Sequence, residues 1–141
     1  MNQVKRYKIL CIDDNLDTLD MMELYLYRDF DVYTAGNGFE GMKSAQEHLP
    51  SLIITDIMMP VVDGIRLFND LRKHQPTSAI PVVAMTSFLK KITRKSLLNM
   101  GFNGVITKPV NRTKLLTVIS GILDIHHIVD NQQQVTDETT S

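Results

Sequence analysis

The stretch Ile9-Leu-Cys-Ile-Asp-Asp-Asn15 decides the fold, because an apolar run ends abruptly in two carboxylates and an asparagine. An apolar run without alternation is typical of a parallel β-strand that is covered by helices on both faces. Asparagine is a favourable helix N-cap, so a helix should begin directly after Asn15. The stretch therefore predicts a buried strand followed by a helix, with acidic side chains where the strand ends.

The same unit recurs along the 141 residues of the chain. Further short apolar runs are each followed by a longer segment of helical period, and one partly alternating run suits an edge strand. These runs are residues 52–54, 82–85 and 105–106, with residues 30–34 as the edge candidate. The repetition predicts an α/β fold with five strands and five helices in one domain.

Capping residues, apolar stripes and glycines predict where each helix begins and ends. The first helix should run from Asn15 to residue 28 with one apolar stripe, and Gly101 should end the fourth. The stripe consists of Leu16, Leu19, Met22 and Leu26, and the other helices are predicted over residues 37–48, 64–74, 88–100 and 111–125. Residues 126–141 are polar without an apolar period, so the folded domain is expected over residues 1–125 with a disordered tail.

Residues that carry chemistry fall at the predicted strand ends. Asp13 and Asp14 follow the first strand, Asp56 the third, Thr86 the fourth and Lys108 the fifth. In a doubly wound sheet, ligands bind outside the carboxyl ends of the strands. Neighbouring carboxylates repel each other unless a cation intervenes, and Mg²⁺ is a natural occupant. An aspartate can form an acyl phosphate, and an ammonium and a hydroxyl can stabilise the transferred phosphoryl group.

Four motifs in this order resemble the receiver domain of bacterial two-component response regulators. They are residues 9–15, Asp56-Ile-Met-Met-Pro-Val-Val-Asp-Gly64, Met85-Thr-Ser87 and Thr107-Lys-Pro109. The resemblance covers about residues 7–125. It implies a flavodoxin-like, doubly wound five-stranded parallel sheet, a (βα)5 fold with strand order 2-1-3-4-5. Because the resemblance covers essentially all of the folded chain, we also expect a stand-alone regulator or phosphorelay intermediate that is not an ordinary enzyme and has no attached output module.

The resemblance assigns roles to the acidic residues. Asp56 would accept a phosphoryl group from a histidine kinase or a phosphotransfer protein. Asp14 and Asp56 would bind Mg²⁺ through their side chains, Met58 through its carbonyl group, and Asp13 largely through water. Mg²⁺ is the single cofactor that the resemblance implies.

The resemblance also describes how a signal would leave the site. Lys108 would contact the phosphoryl group and Asp56, and its bond to Pro109 would be cis. Thr86 would swing toward the phosphoryl oxygen and change the face made by helix four, strand five and helix five. One departure stands out, because Val105 occupies the position where the family usually has Tyr or Phe. The alternative is therefore a degenerate receiver that acts as a constitutive protein-interaction module.

The lifetime of the acyl phosphate can also be predicted. In the family, the residues two after the acceptor and two after the threonine help to admit hydrolytic water. Here they are Met58 and Phe88, neither of which hydrogen-bonds water strongly. The sequence therefore predicts slow autodephosphorylation.

The distribution of charge predicts the kind of partner. The first 70 residues hold 6 Lys/Arg and 12 Asp/Glu, residues 71–123 hold 9 and none, and residues 124–141 hold none and 4. Lys90, Lys91, Arg94 and Lys95 would crowd one side of the predicted fourth helix. We expect a downstream protein with an acidic surface, and nucleic acid as the less favoured partner.

Other patterns favour structure over chemistry. The string Gly36-Asn-Gly-Phe-Glu-Gly41 matches a dinucleotide fingerprint, but it does not follow the first strand, where that fingerprint belongs. His126 and His127 fit a polar helix end better than a metal cluster. Cys11, the single cysteine, should be buried in the core. No apolar run approaches the ~18 residues of a membrane span, and no signal peptide is evident, so a cytoplasmic location is expected.

Overall fold

The computed structural model describes residues 6–87 and 92–125. In this part of the chain, five parallel strands form one sheet in the order β2-β1-β3-β4-β5. The strands are β1 (Lys8–Ile12), β2 (Asp31–Ala35), β3 (Leu52–Asp56), β4 (Val82–Thr86) and β5 (Gly104–Thr107). The flavodoxin-like (βα)5 fold and its strand order are therefore confirmed, with β2 at one edge as its partial alternation predicted.

The described residues contain five α-helices, and each of them begins directly after a residue whose side chain caps it. The side-chain oxygens of Asn15, Asn37, Asp63 and Asn111 each accept a hydrogen bond from a backbone N–H of the following first turn. The helices are α1 (Leu16–Leu26), α2 (Gly38–His48), α3 (Gly64–Lys73), α4 (Arg94–Met100) and α5 (Arg112–Leu123), with a short 3₁₀ turn at Gln75–Thr77. Gly101 ends α4 at φ 115°, in the left-handed region that glycine tolerates.

The fourth helix begins later than its apolar pattern predicted. Thr93 accepts a hydrogen bond from the Ser96 N–H, and the Ser96 hydroxyl accepts one from the Thr93 N–H, so a capping box fixes the start at Arg94. The predicted start at residue 88 is therefore wrong. Phe88, Lys90 and Lys91 lie outside the described residues.

The apolar stripe of α1 is shorter than predicted. Leu19, Met22 and Leu26 are buried, whereas Leu16 is 70% exposed. Leu16 is the first residue of the helix and stands beyond the carboxyl end of β1, so the sheet does not cover it. The predicted histidine pair and the polar tail, residues 126–141, lie outside the described residues.

The sheet separates two apolar cores, because successive side chains of each strand point to opposite faces. Ile9 and Cys11 pack with α1 and α5 on one face, whereas Leu10 and Ile12 pack with α2, α3 and α4 on the other. Burial raises the pKa of Cys11 to about 12, so its thiol stays protonated and acts as a small core residue. No helix in residues 6–87 and 92–125 is both long and apolar enough to span a bilayer.

Close packing explains the glycines of the string at residues 36–41. A Cβ atom on Gly38 would lie 2.6 Å from the backbone oxygen of Val62, and one on Gly41 would lie 2.6 Å from Cδ1 of Ile12. Both glycines therefore let α2 approach the sheet and the loop before α3. The string follows β2 and serves packing, which agrees with our rejection of dinucleotide binding.

Candidate functional site

An acidic crevice lies at the carboxyl edge of the sheet. Parallel pairing sets Ile12 of β1 beside Thr55 of β3, so the next residues, Asp13 and Asp56, end neighbouring strands at the same level. Asp14 follows on the loop. One carboxylate oxygen from each of the three aspartates lies within 4.8 Å of the others. The structure thus brings together the three acidic residues that the sequence predicted at the strand ends.

Lys108 supplies a cation to the same crevice. Its Nζ atom lies 2.7 Å from Oδ2 of Asp13 and 3.4 Å from Oδ2 of Asp56. The backbone N–H of Lys108 donates to the carbonyl oxygen of Thr86, which ties the end of β5 to the end of β4. The bond to Pro109 is cis, as predicted. One ammonium therefore faces two buried carboxylates.

Asp13 is held in place by the loop that it begins. Its side chain is fully buried, and Oδ1 accepts a hydrogen bond of 2.9 Å from the N–H of Asn15. Its own N–H donates to the carbonyl oxygen of Ala35 at the end of β2. Asp14 is exposed. The carboxylate of Asp13 is therefore fixed inside the crevice, whereas that of Asp14 lies at its opening.

The surroundings of Asp56 disfavour its charge. Burial raises the pKa of Asp56, and the neighbouring Asp13 raises it further. Lys108 and a 3.3 Å hydrogen bond from the N–H of Met58 to Oδ1 oppose this shift without cancelling it. For Lys108, burial alone would lower the pKa, but the hydrogen bond to Asp13 and the charges of Asp56 and Asp13 raise it overall. The crevice therefore holds more negative charge than Lys108 neutralises.

This donor set fits a hard divalent cation. Mg²⁺ prefers carboxylate, carbonyl and water oxygens over nitrogen and sulfur ligands. Three carboxylate oxygens within 4.8 Å supply such ligands, and the raised pKa of Asp56 indicates that added positive charge would be favourable there. Met58 is the second residue after Asp56, and its side chain is exposed. The residues present are compatible with Mg²⁺.

Thr86 ends the strand next to Asp56. Asp56 pairs with Met85, so Thr86 lies one residue further along β4 and is almost fully buried. On the other side it pairs with Thr107, which precedes Lys108. Val105 lies on β5 with 3% of its surface exposed and packs in the same core cluster as Leu97 of α4. A hydroxyl thus stands between the acceptor strand and the strand that bears Val105.

Sequence reasoning missed the part that Gly64 plays in the site. A Cβ atom on Gly64 would collide with the carbonyl oxygen of Asp56 and would lie 2.9 Å from Cα of Ile57. The N–H of Gly64 donates to the carbonyl oxygen of Ile57 at 3.1 Å. Because Gly64 has no Cβ atom, the start of α3 can pack directly against the backbone of Asp56. The Asp63-Gly64 pair was the available signal, but it indicated only where a helix begins.

Comparisons with known proteins agree with this site. The family model described as the response regulator receiver domain matches residues 9–120. An uncharacterized 14.6 kDa protein in the sodA1 3′ region of Leptolyngbya boryana is 30% identical over 120 residues, which is 84% of this chain and 92% of that protein. The probable transcriptional regulator ycf29 of Pyropia yezoensis is 33% identical over 83% of this chain, which spans about half (53%) of that relative.

A solved structure supports the same fold. The crystal structure of a response regulator from Desulfuromonas acetoxidans is 35% identical to this chain, with a TM-score of 0.77. The match covers 84% of this chain and 98% of that one. The residues matched by the family model, 9–120, include the carboxyl ends of all five strands.

Proposed function

The chain belongs to the response regulator receiver domain family, and we propose that it is a phosphoacceptor of two-component or phosphorelay signalling with Asp56 as the acceptor. Receiver domains are signalling modules rather than ordinary enzymes, so the chemistry serves to switch the protein. One observation carries the proposal: three carboxylates converge within 4.8 Å beside the ammonium of Lys108. Such a set is suited to phosphoryl transfer, which depends mostly on positioning and charge stabilisation.

The donor would be a histidine kinase or a histidine-bearing phosphotransfer protein. One carboxylate oxygen of Asp56 would bond to phosphorus while the donor's phosphorus–nitrogen bond breaks, and the released imidazole takes up a proton. Lys108 already lies 3.4 Å from Asp56, so its ammonium can stay beside the incoming phosphoryl oxygens and stabilise their charge. The domain itself would thus catalyse the transfer.

Bound Mg²⁺ would be held by the side chains of Asp14 and Asp56 and the carbonyl group of Met58, with Asp13 acting through water. When bound, the cation would neutralise charge on the phosphoryl oxygens. Asp13 is engaged by Lys108 and by the Asn15 N–H, which supports an indirect role for it. Asp14 is exposed at the opening, where it supports a direct one.

The acyl phosphate would be long-lived. Met58 is 58% exposed beside the acceptor, and its thioether is a weak hydrogen-bond acceptor that cannot donate. A side chain of this kind does not orient an attacking water. Slow autodephosphorylation would suit a regulator that must reach its partner before the signal is lost.

Phosphorylation would act through Thr86 on the face made by α4, β5 and α5, and the downstream partner would be a protein with an acidic surface. Residues 71–123 carry nine positive charges and no negative one, which supports an acidic partner over the less favoured nucleic acid. A cytoplasmic location goes with this proposal. The intact acidic cluster and its lysine argue against a degenerate receiver that only binds partners.

Incubation with Mg²⁺ and a small phosphodonor, followed by intact-mass measurement, tests the proposal. The wild-type chain should gain the mass of one phosphoryl group, and chelation of Mg²⁺ should prevent the gain. Asp56→Asn, which keeps the shape but removes the nucleophile, should show no gain. Asp20→Asn, an exposed change on α1 outside the crevice, is the matched control and should be modified normally. An unaltered mass gain in Asp56→Asn would exclude Asp56 as the acceptor.

A further inference from the structure

Met58 places an exposed thioether beside the acceptor carboxylate. Its backbone N–H donates a 3.3 Å hydrogen bond to Oδ1 of Asp56, which holds the residue against the crevice. Its side chain is 58% exposed. Met85, which pairs with Asp56 across the sheet, is by contrast fully buried. Of these two methionines, only Met58 offers its sulfur to a small reagent in solution.

Exposure separates the sulfur atoms in residues 6–87 and 92–125. Met58 and Met100 are exposed, whereas the other methionines of this part of the chain are buried or partly buried. Met100 ends α4, which leads back from the carboxyl edge of the sheet to the start of β5, so it lies at the opposite edge from Asp56. Cys11 is fully buried, and burial raises its pKa to about 12, so no reactive thiolate forms there. An oxidant therefore meets one exposed sulfur at the acceptor and one far from it.

We propose that Met58 is an oxidation site, at which hydrogen peroxide forms methionine sulfoxide and thereby shortens the lifetime of the acyl phosphate. One oxygen atom of the peroxide bonds to sulfur while the O–O bond breaks, and the second oxygen leaves as water. The sulfur is oxidised by two electrons, and the peroxide is reduced by the same two. This inference rests on the proposed function, because it concerns hydrolysis of the phosphoryl group on Asp56.

The added oxygen atom changes how the side chain acts on water. A thioether sulfur is only a weak hydrogen-bond acceptor, whereas the sulfoxide group is polar and presents an oxygen. During hydrolysis the water oxygen bonds to phosphorus, the bond from phosphorus to Asp56 breaks, and inorganic phosphate leaves with the protons of the water. An acceptor oxygen beside Asp56 orients this water by taking a hydrogen bond from it. Oxidised Met58 would thus supply the contact that its thioether lacks.

Dilute hydrogen peroxide followed by peptide mapping with tandem mass spectrometry tests the oxidation on the full chain, without a phosphodonor. Met58 and Met100 should each gain one oxygen atom at similar rates, because both side chains are exposed. Met85 should stay unmodified while the chain remains folded. Oxidation of Met85 as fast as that of Met58 would overturn the inference, since exposure would then not select the site.

The lifetime of the acyl phosphate is measured after the peroxide has been removed and Mg²⁺ and a small phosphodonor have been added. Intact mass over time resolves oxidised and unoxidised chains within one sample. The chain with oxidised Met58 should lose its phosphoryl group roughly twofold to tenfold faster, which is the factor that one hydrogen bond in the transition state supplies. Reduction by methionine sulfoxide reductases of both stereospecificities should restore the slow rate.

Variants assign the effect to one sulfur atom. Met58→Leu should have the same lifetime before and after peroxide treatment, because leucine has no sulfur to oxidise. Met58→Gln, whose amide oxygen is already an acceptor, should dephosphorylate quickly without peroxide. The matched control is Met100→Leu, which removes the exposed sulfur far from the crevice and should keep the full acceleration.

Equal lifetimes of chains with and without oxidised Met58 would refute the inference. So would an acceleration that persists in Met58→Leu and disappears in Met100→Leu, because the oxidation would then act from elsewhere. The untreated chain separates these results from the proposed function. If it gains no phosphoryl group, the phosphoacceptor role fails and the oxidation effect fails with it; if it gains one whose lifetime oxidation does not change, only the inference about Met58 fails.

Discussion

Replacement of Gly64 by alanine should both destabilise the fold and slow the modification of Asp56. The added Cβ atom would collide with the carbonyl oxygen of Asp56 and would stand 2.9 Å from Cα of Ile57, against an ordinary contact of 3.4–4 Å. Both obstacles are backbone atoms, so no side-chain rotation relieves them. The end of β3 or the start of α3 must therefore move by at least about 0.5 Å.

The size of the effect follows from this displacement. Forcing one extra carbon into a well-packed interior costs about 1–3 kcal/mol of the free energy of unfolding. The acceptor carboxylate would move with its backbone, and a misplacement approaching 1 Å lowers rates by roughly tenfold to a hundredfold. The free energy is measured by denaturant unfolding, and the phosphorylation rate by intact mass after mixing with Mg²⁺ and a small phosphodonor.

The same substitution at Gly121 is the matched control. An added Cβ atom there would meet nothing within 4 Å, and Gly121 lies on the exposed side of α5. Alanine should stabilise this helix by up to about 1 kcal/mol, because glycine loses more backbone entropy on folding. Its phosphorylation rate should not change. If Gly64→Ala unfolds at the same denaturant concentration as the wild type, the close contact does not constrain the site and our reasoning is wrong.

Three further predictions concern the charge, lifetime and output of the site. Asp56→Asn should be more stable than the wild type at neutral pH without Mg²⁺. The pKa of Asp56 is raised in the folded state from its ordinary 3.8, so its ionisation lowers the stability of the wild type as pH rises from that value through the folded pKa. The stability advantage of the variant, measured by denaturant unfolding, should therefore grow over this pH window and vanish below it. A constant advantage at all pH values would contradict this origin. Met58→Asn together with Phe88→Glu should speed loss of the acyl phosphate, as followed by intact mass over time, and an unchanged rate would remove the argument from these side chains. Thr86→Ala should reduce the effect of phosphorylation on partner affinity far more than Val105→Ala does. If binding titrations show that both variants lose this effect equally, coupling through Thr86 is contradicted.

The sequence by itself determined the type and order of the elements, because the signals that set them act over a few residues. Apolar runs without alternation predicted buried parallel strands, and Asn15 as an N-cap predicted where the first helix begins. The residues at the strand ends could also be predicted, since in a parallel sheet all carboxyl ends lie at one edge. Hence the sequence predicts that the three aspartates, Thr86 and Lys108 lie at one edge of the sheet.

Only the tertiary structure decided how these residues meet. The 2.7 Å contact of Lys108 with Asp13 joins segments far apart in the chain. The close packing of Gly64 against the backbone of Asp56 depends on how α3 lies against the end of β3. Helix four also started later than its apolar period indicated, because the capping box at Thr93 outweighed that pattern. Local sequence records the conformational preferences of neighbouring residues. Distances across the fold depend instead on how all elements pack together, which no short pattern contains.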